Sequence, residues 1–150
     1  MAIGLSYFRE RGFTDETIRF FGLGYAAEKR DHFYQKATQA GYSEEFLVGT
    51  GLVIKNERGA VDRFRGRVIF PIRSMAGRVQ GFGGRILSAT AKTAKYLNSP
   101  ESEIYHKSQV LYGIYESKKA IAREDVCYLV EGYTDVIQLF QKGIENVVSS

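Results

Sequence analysis

Helical spacing of apolar residues dominates the first zone of the chain, up to about residue 49. In "FTDETIRFFGLG", Thr14 is suited to cap a helix that Gly22 and Gly24 end. "RDHFYQKATQAG", closed by Gly41, and "SEEFLVG", beginning at Ser43, predict two further short helices. The pattern of this zone therefore predicts a group of short helices.

The second zone, residues 51–98, favours strands. "GLVIKNERG" predicts a strand that leads into a polar turn at residues 56–59. "RFRGRVIFPIRSMAGRVQGFGGRIL" contains two apolar runs, 67–73 and 77–87, joined by a segment typical of a hairpin. Pro71 in the first run predicts an edge strand or a bulge. "GFGG" lacks the lysine and the following helix of a phosphate loop, so its glycines predict a bulge or a close approach of another backbone or a nucleic-acid strand.

The last zone follows a connector, residues 99–122, whose pattern predicts helix. The apolar run 126–130 predicts a buried strand, residues 133–142 predict a helix, and "IENVVSS" predicts a second strand. A strand, a helix and a strand in close succession are typical of a βαβ unit with parallel strands. One such unit cannot bury both faces of a sheet. We therefore expect a piece of a larger sheet, with an exposed edge at "NVVSS" where a neighbouring molecule could pair.

Composition limits the classes of protein to which the chain can belong. A hydrophobic content of 44% and a charged content of 25% over 150 residues indicate a globular chain with one ordinary core. No apolar stretch approaches the ~20 residues of a membrane helix, and no secretory signal is visible. Cys127, the single cysteine, excludes an internal disulfide and a thiolate-rich zinc site. His32 and His106 are too few and too isolated for a metal cluster. The single cysteine fits a reducing cytoplasm, so we expect a cytoplasmic protein without a membrane partner.

Positive charge is concentrated in the middle of the chain. Residues 58–107 contain ten basic and three acidic residues, although the formal net charge of the whole chain is only +4. Such a segment favours a polyanion partner, because each phosphate that a basic side chain contacts releases counterions. The alternative is that the alternating arginines form the solvated face of a sheet.

Two carboxylates stand where the strand in "VCYLVEGYTDVI" ends. In open α/β sheets, ligand-binding and catalytic residues commonly lie beyond the carboxyl ends of the strands. Glu131 lies at such a strand end, and Asp135 lies in the first turn of the next helix. Two such carboxylates can hold Mg²⁺ together with water and substrate phosphates. The alternative is that Asp135 only complements the helix N-terminus and that Glu131 only solvates the loop.

Several long motifs, in order, resemble the bacterial replicative primases of the DnaG type. "YFRERGFTDETIRFFGLGYA" is similar to the opening of their RNA polymerase domain. "RFRGRVIFPIR", "GRVQGFGGR", "KYLNSPES" and "HKSQVLYG" resemble its basic motifs, and "EGYTD" resembles the first acidic motif of the TOPRIM module. The resemblance runs through nearly the whole chain.

The resemblance implies a nucleotidyltransferase, a DNA-directed RNA polymerase that makes short RNA primers from ribonucleoside triphosphates on single-stranded DNA. It implies a catalytic, metal-binding role for Glu131 in a site for Mg²⁺ or Mn²⁺, with Asp135 as the adjacent metal-linked acid. The residues that it implies for nucleic-acid or nucleotide binding are Arg67, Arg85, Lys95, Lys107 and Asn98, with Arg65 and Arg73 as weaker candidates. Further partners implied for the full-length protein are a replicative helicase and single-strand-binding protein at a bacterial replication fork in the nucleoid.

The expected fold is an α+β N-terminal subdomain over residues 1–122, with short helices and a small antiparallel-rich sheet. It is followed over residues 123–150 by the first β-α-β part of an α/β TOPRIM unit. The family's zinc-binding domain is expected to precede this region, and the later TOPRIM acids to lie beyond Ser150. The metal site is then incomplete, and we expect the isolated chain to be inactive. Two alternatives stay open: a piece of a phage-type primase-helicase with a TOPRIM module, or a non-catalytic nucleic-acid-binding module.

Overall fold

Short helices and strands alternate through residues 2–88 and 90–150, which the computed structural model describes. The helices are α1 (Ala2–Glu10), α2 (Asp15–Phe21), α3 (His32–Gln39), α4 (Glu44–Gly49), α5 (Ile114–Glu124) and α6 (Tyr133–Gln141), with a 3₁₀ helix at Lys107–Gln109. The strands are β1 (Gly24–Ala26), β2 (Val53–Asn56), β3 (Gly59–Asp62), β4 (Arg67–Arg73), β5 (Val79–Ile86), β6 (Tyr96–Asn98), β7 (Tyr128–Val130) and β8 (Val147–Ser149).

The helix boundaries in the first zone follow the capping residues. The Thr14 hydroxyl accepts a hydrogen bond from the backbone N–H of Thr17, and Gly22 ends α2 with a left-handed φ of 67°. Ser43 caps α4 in the same way. The three predicted helices are thus confirmed, but the zone is not entirely helical, because it also contains β1.

Four antiparallel strands form the main sheet, in the order β1-β4-β5-β6. The predicted β4–β5 hairpin is confirmed. Pro71 was predicted to mark an edge strand or a bulge: β4 as a whole lies inside the sheet, but its register with β5 shifts next to Pro71, between Ile72 and Arg73. Pro71 is tolerated there because the three-residue β1 pairs only with Arg67–Ile69 and leaves the rest of that edge of β4 open. Strands β2 and β3 form a separate hairpin.

The connector before the last zone is less helical than its pattern predicts. The helical part of residues 99–113 is the 3₁₀ turn at Lys107–Gln109, and regular helix begins at Ile114. The same segment carries two isolated β-bridges, Ser102–Tyr105 and Tyr112–Ser149. Ser99 and Pro100 instead continue from β6, where the N–H of Ser99 donates to the carbonyl of Phe82. The segment is therefore an irregular connection between β6 and α5, and its Tyr105 packs on Gly81 of β5.

The βαβ unit is confirmed, since β7 and β8 pair in parallel and α6 connects them. The prediction that the first strand of this unit is buried is wrong. Helices α5 and α6 pack on β8, so Val147 and Val148 are buried, whereas Tyr128 and Leu129 on β7 are 53% and 67% exposed. An apolar run shows that a strand can be covered, but the neighbouring elements decide whether it is. The exposed apolar strand is therefore β7. At the edge predicted to be open in "NVVSS", Ser149 exchanges backbone hydrogen bonds with Tyr112.

One hydrophobic core joins the beginning, the middle and the end of the chain. Phe70 on β4 is fully buried and contacts Phe8 of α1, Tyr112 before α5 and Tyr133 of α6, with ring-centroid separations of 5.6 to 6.4 Å. Phe21 of α2 packs in the same cluster. These contacts hold the main sheet and the βαβ unit in a fixed relation to each other.

Among the described helices, none has the length and apolarity that a membrane crossing requires.

Candidate nucleic-acid interface

Strand register separates the candidate arginines onto the two faces of the main sheet. Arg85 pairs with Val68 and with Tyr96, while Gly83 pairs with Phe70 and with Asn98. Side chains opposite each other on antiparallel strands share a face, and alternate residues on one strand share a face. Arg85 and Asn98 therefore lie on the face that carries Phe70. Arg67, which pairs with Ile86, lies on the other face.

Arg85 is half-buried beside the first helix. Its guanidinium lies 5.2 Å from the centre of the Tyr7 ring, and Nη1 donates to the carbonyl oxygen of Ile86 at 3.1 Å. Arg85 Nε and the Tyr7 hydroxyl are buried without a hydrogen-bond partner among the described residues. Burial raises the pKa of Tyr7, so its hydroxyl stays a neutral donor. An anionic oxygen that approaches from solvent would bind the accessible part of the half-buried guanidinium and not the buried Nε.

Arg11 belongs to the same cluster, although it was not among the residues predicted from the sequence. Its guanidinium lies 4.7 Å from the centre of the Tyr7 ring, and its side chain is exposed. The signal for it was the helical spacing of Tyr7 and Arg11, which places two side chains four residues apart on one side of a helix. Arg11 thus extends the positive charge of Arg85 towards solvent.

Arg67 and Arg63 hold the backbone of the "KYLN" segment from the other face. Arg67 is only 4% exposed, and its Nη1 donates to the carbonyls of Gly84 and Lys95 at 3.3 and 3.2 Å. Arg63 donates through Nε and Nη2 to the carbonyl of Asn98 at 3.2 and 2.8 Å. Burial lowers the pKa of both arginines. Both guanidinium groups therefore donate to backbone carbonyls, and Lys95, whose carbonyl accepts from Arg67, is exposed.

The other basic candidates are placed apart. Arg73 forms an ion pair with Glu116 at 2.7 Å, in which the side chains are 18% and 3% exposed. Arg65 is exposed in the turn before β4, and Lys107 is exposed at the start of the 3₁₀ helix. The backbone N–H of Lys107 donates to the Glu101 carboxylate at 2.8 Å, which fixes the local chain while the lysine side chain reaches solvent.

Glu131 and Asp135 bound an acidic turn, residues 131–135, between β7 and α6. Both side chains are exposed, and the carbonyl of Glu131 accepts a hydrogen bond from the Ser149 hydroxyl at 3.2 Å. Asp135 folds back over Gly132, where an added Cβ would lie 3.0 Å from its Oδ2. Carboxylate oxygens suit Mg²⁺. Across residues 2–88 and 90–150, no three His, Cys, Asp or Glu side chains gather closely enough to hold a metal ion. The turn therefore offers at most part of a ligand set.

Tyr133 connects the acidic turn to the sheet. Its hydroxyl donates to Asn98 Oδ1 at 3.0 Å, and its ring lies so close to Gly83 that an added Cβ there would be 2.2 Å from a ring carbon. Burial raises the pKa of Tyr133 to about 12, against a smaller opposing effect of the hydrogen bond to Asn98. Tyr105 covers Gly81 in the same manner. The "GFGG" glycines thus admit aromatic side chains of the same chain and not another backbone. The predicted bulge does occur beside them, where the β4–β5 pairing passes from Ile72–Gly81 to Arg73–Val79.

We call Arg85, Lys95 and Asn98 the basic edge. The structure brings Arg85 and Asn98 onto one face, and the Tyr133 hydrogen bond places the acidic turn next to them. Positive groups, an exposed ring at Tyr96 and exposed carboxylates therefore lie along the β5–β6 side of the molecule. Single-stranded nucleic acids bind to surfaces of this kind, with phosphates on basic groups and bases stacked on rings.

Comparison with protein families gives a match over most of the chain. Residues 2–118 match the family model described as DNA primase catalytic core, N-terminal domain. The DNA primase of Deinococcus radiodurans is 45% identical over 148 residues, which cover 97% of this chain and 26% of that protein. The chain spans about a quarter of the length of the curated relatives that it matches.

Solved structures show the same fold. The RNA polymerase domain of Mycobacterium tuberculosis primase DnaG has a TM-score of 0.93 at 38% identity, covering 99% of this chain and 48% of that one. A DnaG primase catalytic domain bound to ssDNA has a TM-score of 0.85 at 42% identity, covering 97% and 46%. The zinc-binding and RNA polymerase domains of the Aquifex aeolicus primase have a TM-score of 0.88 at 36% identity, covering 96% and 35%. The fold predicted from the sequence is confirmed.

Proposed function

The chain belongs to the bacterial DNA primase family, and on that premise we propose that it is part of a DNA-dependent RNA polymerase that makes short primers on single-stranded DNA. Its substrates are then ribonucleoside triphosphates, and its ligands are the template and the growing RNA primer. A replicative helicase and single-strand-binding protein are the partners of the complete enzyme at the replication fork in the bacterial cytoplasm. The family match over residues 2–118 is consistent with a boundary between the catalytic-core subdomain, 1–122, and the TOPRIM part, 123–150.

The basic edge binds the nucleic-acid backbone in this proposal. Lys95 is exposed, and Arg67 donates to its backbone carbonyl, so the segment that carries the Lys95 charge is held at the edge of the sheet. Arg85 is half-buried, and the part of its guanidinium that reaches the surface would donate to a phosphate oxygen. Lys107 and Arg65 are exposed and can contact more distant phosphates. Arg67 contributes by holding the strand from behind, and Arg73 by pairing with Glu116.

The acidic turn supplies carboxylates to the catalytic site. Glu131 and Asp135 would hold Mg²⁺ or Mn²⁺, which in phosphoryl transfer activates the attacking hydroxyl and stabilises the leaving oxygen. Because two exposed carboxylates leave most of a hexacoordinate shell to water and other groups, we expect the 150-residue chain alone to bind nucleic acid without polymerising nucleotides. Zinc is assigned to a separate domain of the enzyme, in keeping with the Aquifex aeolicus primase.

One observation carries the proposal: the hydrogen bond between Tyr133 and Asn98 joins the acidic turn to the basic edge. A polymerase must bring the 3′ hydroxyl and the incoming phosphate to its metal-binding carboxylates. An acidic turn and a phosphate-binding strand connected by a 3.0 Å contact provide that proximity. A non-catalytic nucleic-acid-binding module would need the basic residues but not the exposed acids beside them.

Single-stranded DNA binding by two charge-matched variants tests this proposal. We expect the Arg85→Ala, Lys95→Ala, Lys107→Ala variant to bind a labelled oligothymidine on the order of 10- to 100-fold more weakly than the parent chain. The slope of log K against log salt should fall by about 2, since each single-strand phosphate contact contributes about 0.7. Fluorescence anisotropy over a salt series measures both quantities.

The matched control is the Lys29→Ala, Lys119→Ala, Lys142→Ala variant, which removes the same charge from exposed lysines elsewhere. It should bind nearly as tightly as the parent chain. Equal weakening of the two variants would mean that only net charge attracts DNA. Failure of the parent chain to bind at low salt would overturn the proposed interface.

A further inference from the structure

Asn98 is fixed from two sides by different parts of the chain. Its carbonyl accepts two hydrogen bonds from Arg63, and its side-chain Oδ1 accepts one from the Tyr133 hydroxyl. Its backbone is held a second time, because the neighbouring Ser99 exchanges hydrogen bonds with the backbone of Phe82. The backbone of Asn98 is thus secured without Tyr133, and only the side-chain amide depends on the phenol.

The phenol decides which end of that amide faces outward. A neutral tyrosine hydroxyl that donates to Oδ1 directs the oxygen inward and leaves Nδ2 on the other side of the amide. Asn98 Nδ2 makes no hydrogen bond within the described part of the chain, although the residue is half-buried. Two N–H groups are therefore available to an acceptor such as a phosphate oxygen or a base carbonyl.

The Tyr133 ring has room at this place only because residue 83 is glycine. Its edge lies where a Cβ would stand, and Phe70 and Tyr112 pack around it with centroid separations of 5.6 and 4.4 Å. Since Tyr133 is the first residue of α6, a fixed ring also fixes the acidic turn beside the basic edge. The sequence distance is 35 residues, so the contact is a tertiary constraint.

We propose that Tyr133 is a positioning residue: its hydroxyl orients the Asn98 amide towards single-stranded nucleic acid and fixes the acidic turn beside the basic edge. Tyr133 does not touch the nucleic acid in this arrangement. The inference rests on the proposed function, because it assigns a task within the same interface. It adds a residue of the "EGYTD" motif that carries no charge and binds no metal.

Four proteins test it: the parent chain, Tyr133→Phe, Asn98→Ala and the double variant, each titrated with a labelled oligothymidine. Tyr133→Phe keeps the ring in its pocket and should weaken binding on the order of 2- to 10-fold, the usual effect of one hydrogen bond, with an unchanged salt slope. The double variant should bind no more weakly than Asn98→Ala, because Tyr133 acts through Asn98. Multiplication of the two single effects, or parent-like binding by Tyr133→Phe, would overturn the inference.

Tyr112→Phe is the matched control. The Tyr112 ring packs directly against Tyr133, but its buried hydroxyl has no hydrogen-bond partner among residues 2–88 and 90–150. Loss of this hydroxyl should leave DNA affinity unchanged. An equal loss of affinity in Tyr112→Phe would mean that any disturbance of the aromatic cluster weakens binding, and the positioning role would be rejected.

A nuclear magnetic resonance measurement keeps the inference separate from the proposed function. In Tyr133→Phe the side-chain amide signals of Asn98 should shift and exchange faster with solvent, while those of Asn56, in the separate β2–β3 hairpin, should not change. If the Asn98 signals stay unchanged, the positioning role is wrong whether or not the chain binds DNA. If they change as expected and the parent chain binds no DNA, the proposed function fails, and with it the nucleic-acid part of this inference.

Discussion

Replacing Arg73 by methionine should lower the free energy of unfolding by about 3 to 5 kcal/mol, because it leaves the buried Glu116 carboxylate without its ion-pair partner. Glu116 is 3% exposed, and its ion-pair partner in the structure is Arg73 at 2.7 Å. The guanidinium also packs against Gly22, where an added Cβ would lie 2.8 Å from Nη2, so the arginine side chain fills space as well. Thermal unfolding should show a melting temperature lower by roughly 10 °C for a chain of this size.

A double variant separates the contribution of the ion pair to stability from that of side-chain packing. Arg73→Met with Glu116→Leu removes both charges and should recover most of the lost stability, because an apolar pair of similar volume can replace a buried ion pair. Both variants should retain the parent affinity for single-stranded DNA when assayed well below their melting temperatures. A stable Arg73→Met variant that binds DNA weakly would contradict this account and would return Arg73 to the nucleic-acid interface.

Replacing Phe70 by alanine should cost about 3 to 5 kcal/mol and should destabilise both ends of the chain together. Phe70 is fully buried between α1 and α6, so its removal leaves a cavity that both parts border. Denaturant unfolding followed by circular dichroism measures the loss. Hydrogen exchange should show reduced protection in α1 and in α6 alike.

Phe46→Ala is the control for Phe70. Phe46 is 53% exposed on α4, and its truncation should change the free energy of unfolding by less than about 0.5 kcal/mol. Two separate transitions in the Phe70 variant, with protection of α6 intact, would show that residues 123–150 fold independently of the main sheet.

Local chemistry explains why the helix ends and the hairpin could be predicted from the sequence. Thr14 and Ser43 cap helices through their own hydroxyls, and Gly22 ends one through its left-handed backbone, so each signal lies within a few residues of the boundary. The strand β1 was missed because its three residues acquire their conformation from pairing with β4, which is distant in sequence.

The candidate site could be predicted only as a set of residue types. Arg67 and Arg85 look equivalent in the sequence, yet register places Arg67 opposite Ile86 and thereby sends the two side chains to opposite faces. No local pattern reveals that choice. The burial of β8 rather than β7, and the contact of Tyr133 with Asn98, likewise depend on which elements pack together.

The central claim is that single-stranded DNA binds along the basic edge of the sheet, and mapping by nuclear magnetic resonance tests it most directly. An isotope-labelled chain would be titrated with a short oligothymidine while backbone and side-chain amide signals are followed. We predict the largest shifts at Arg85, Lys95 and Asn98, with smaller shifts at Glu131 on the adjoining turn. Shifts concentrated instead around Lys36 and Phe64, on the opposite face of the sheet, would contradict the account.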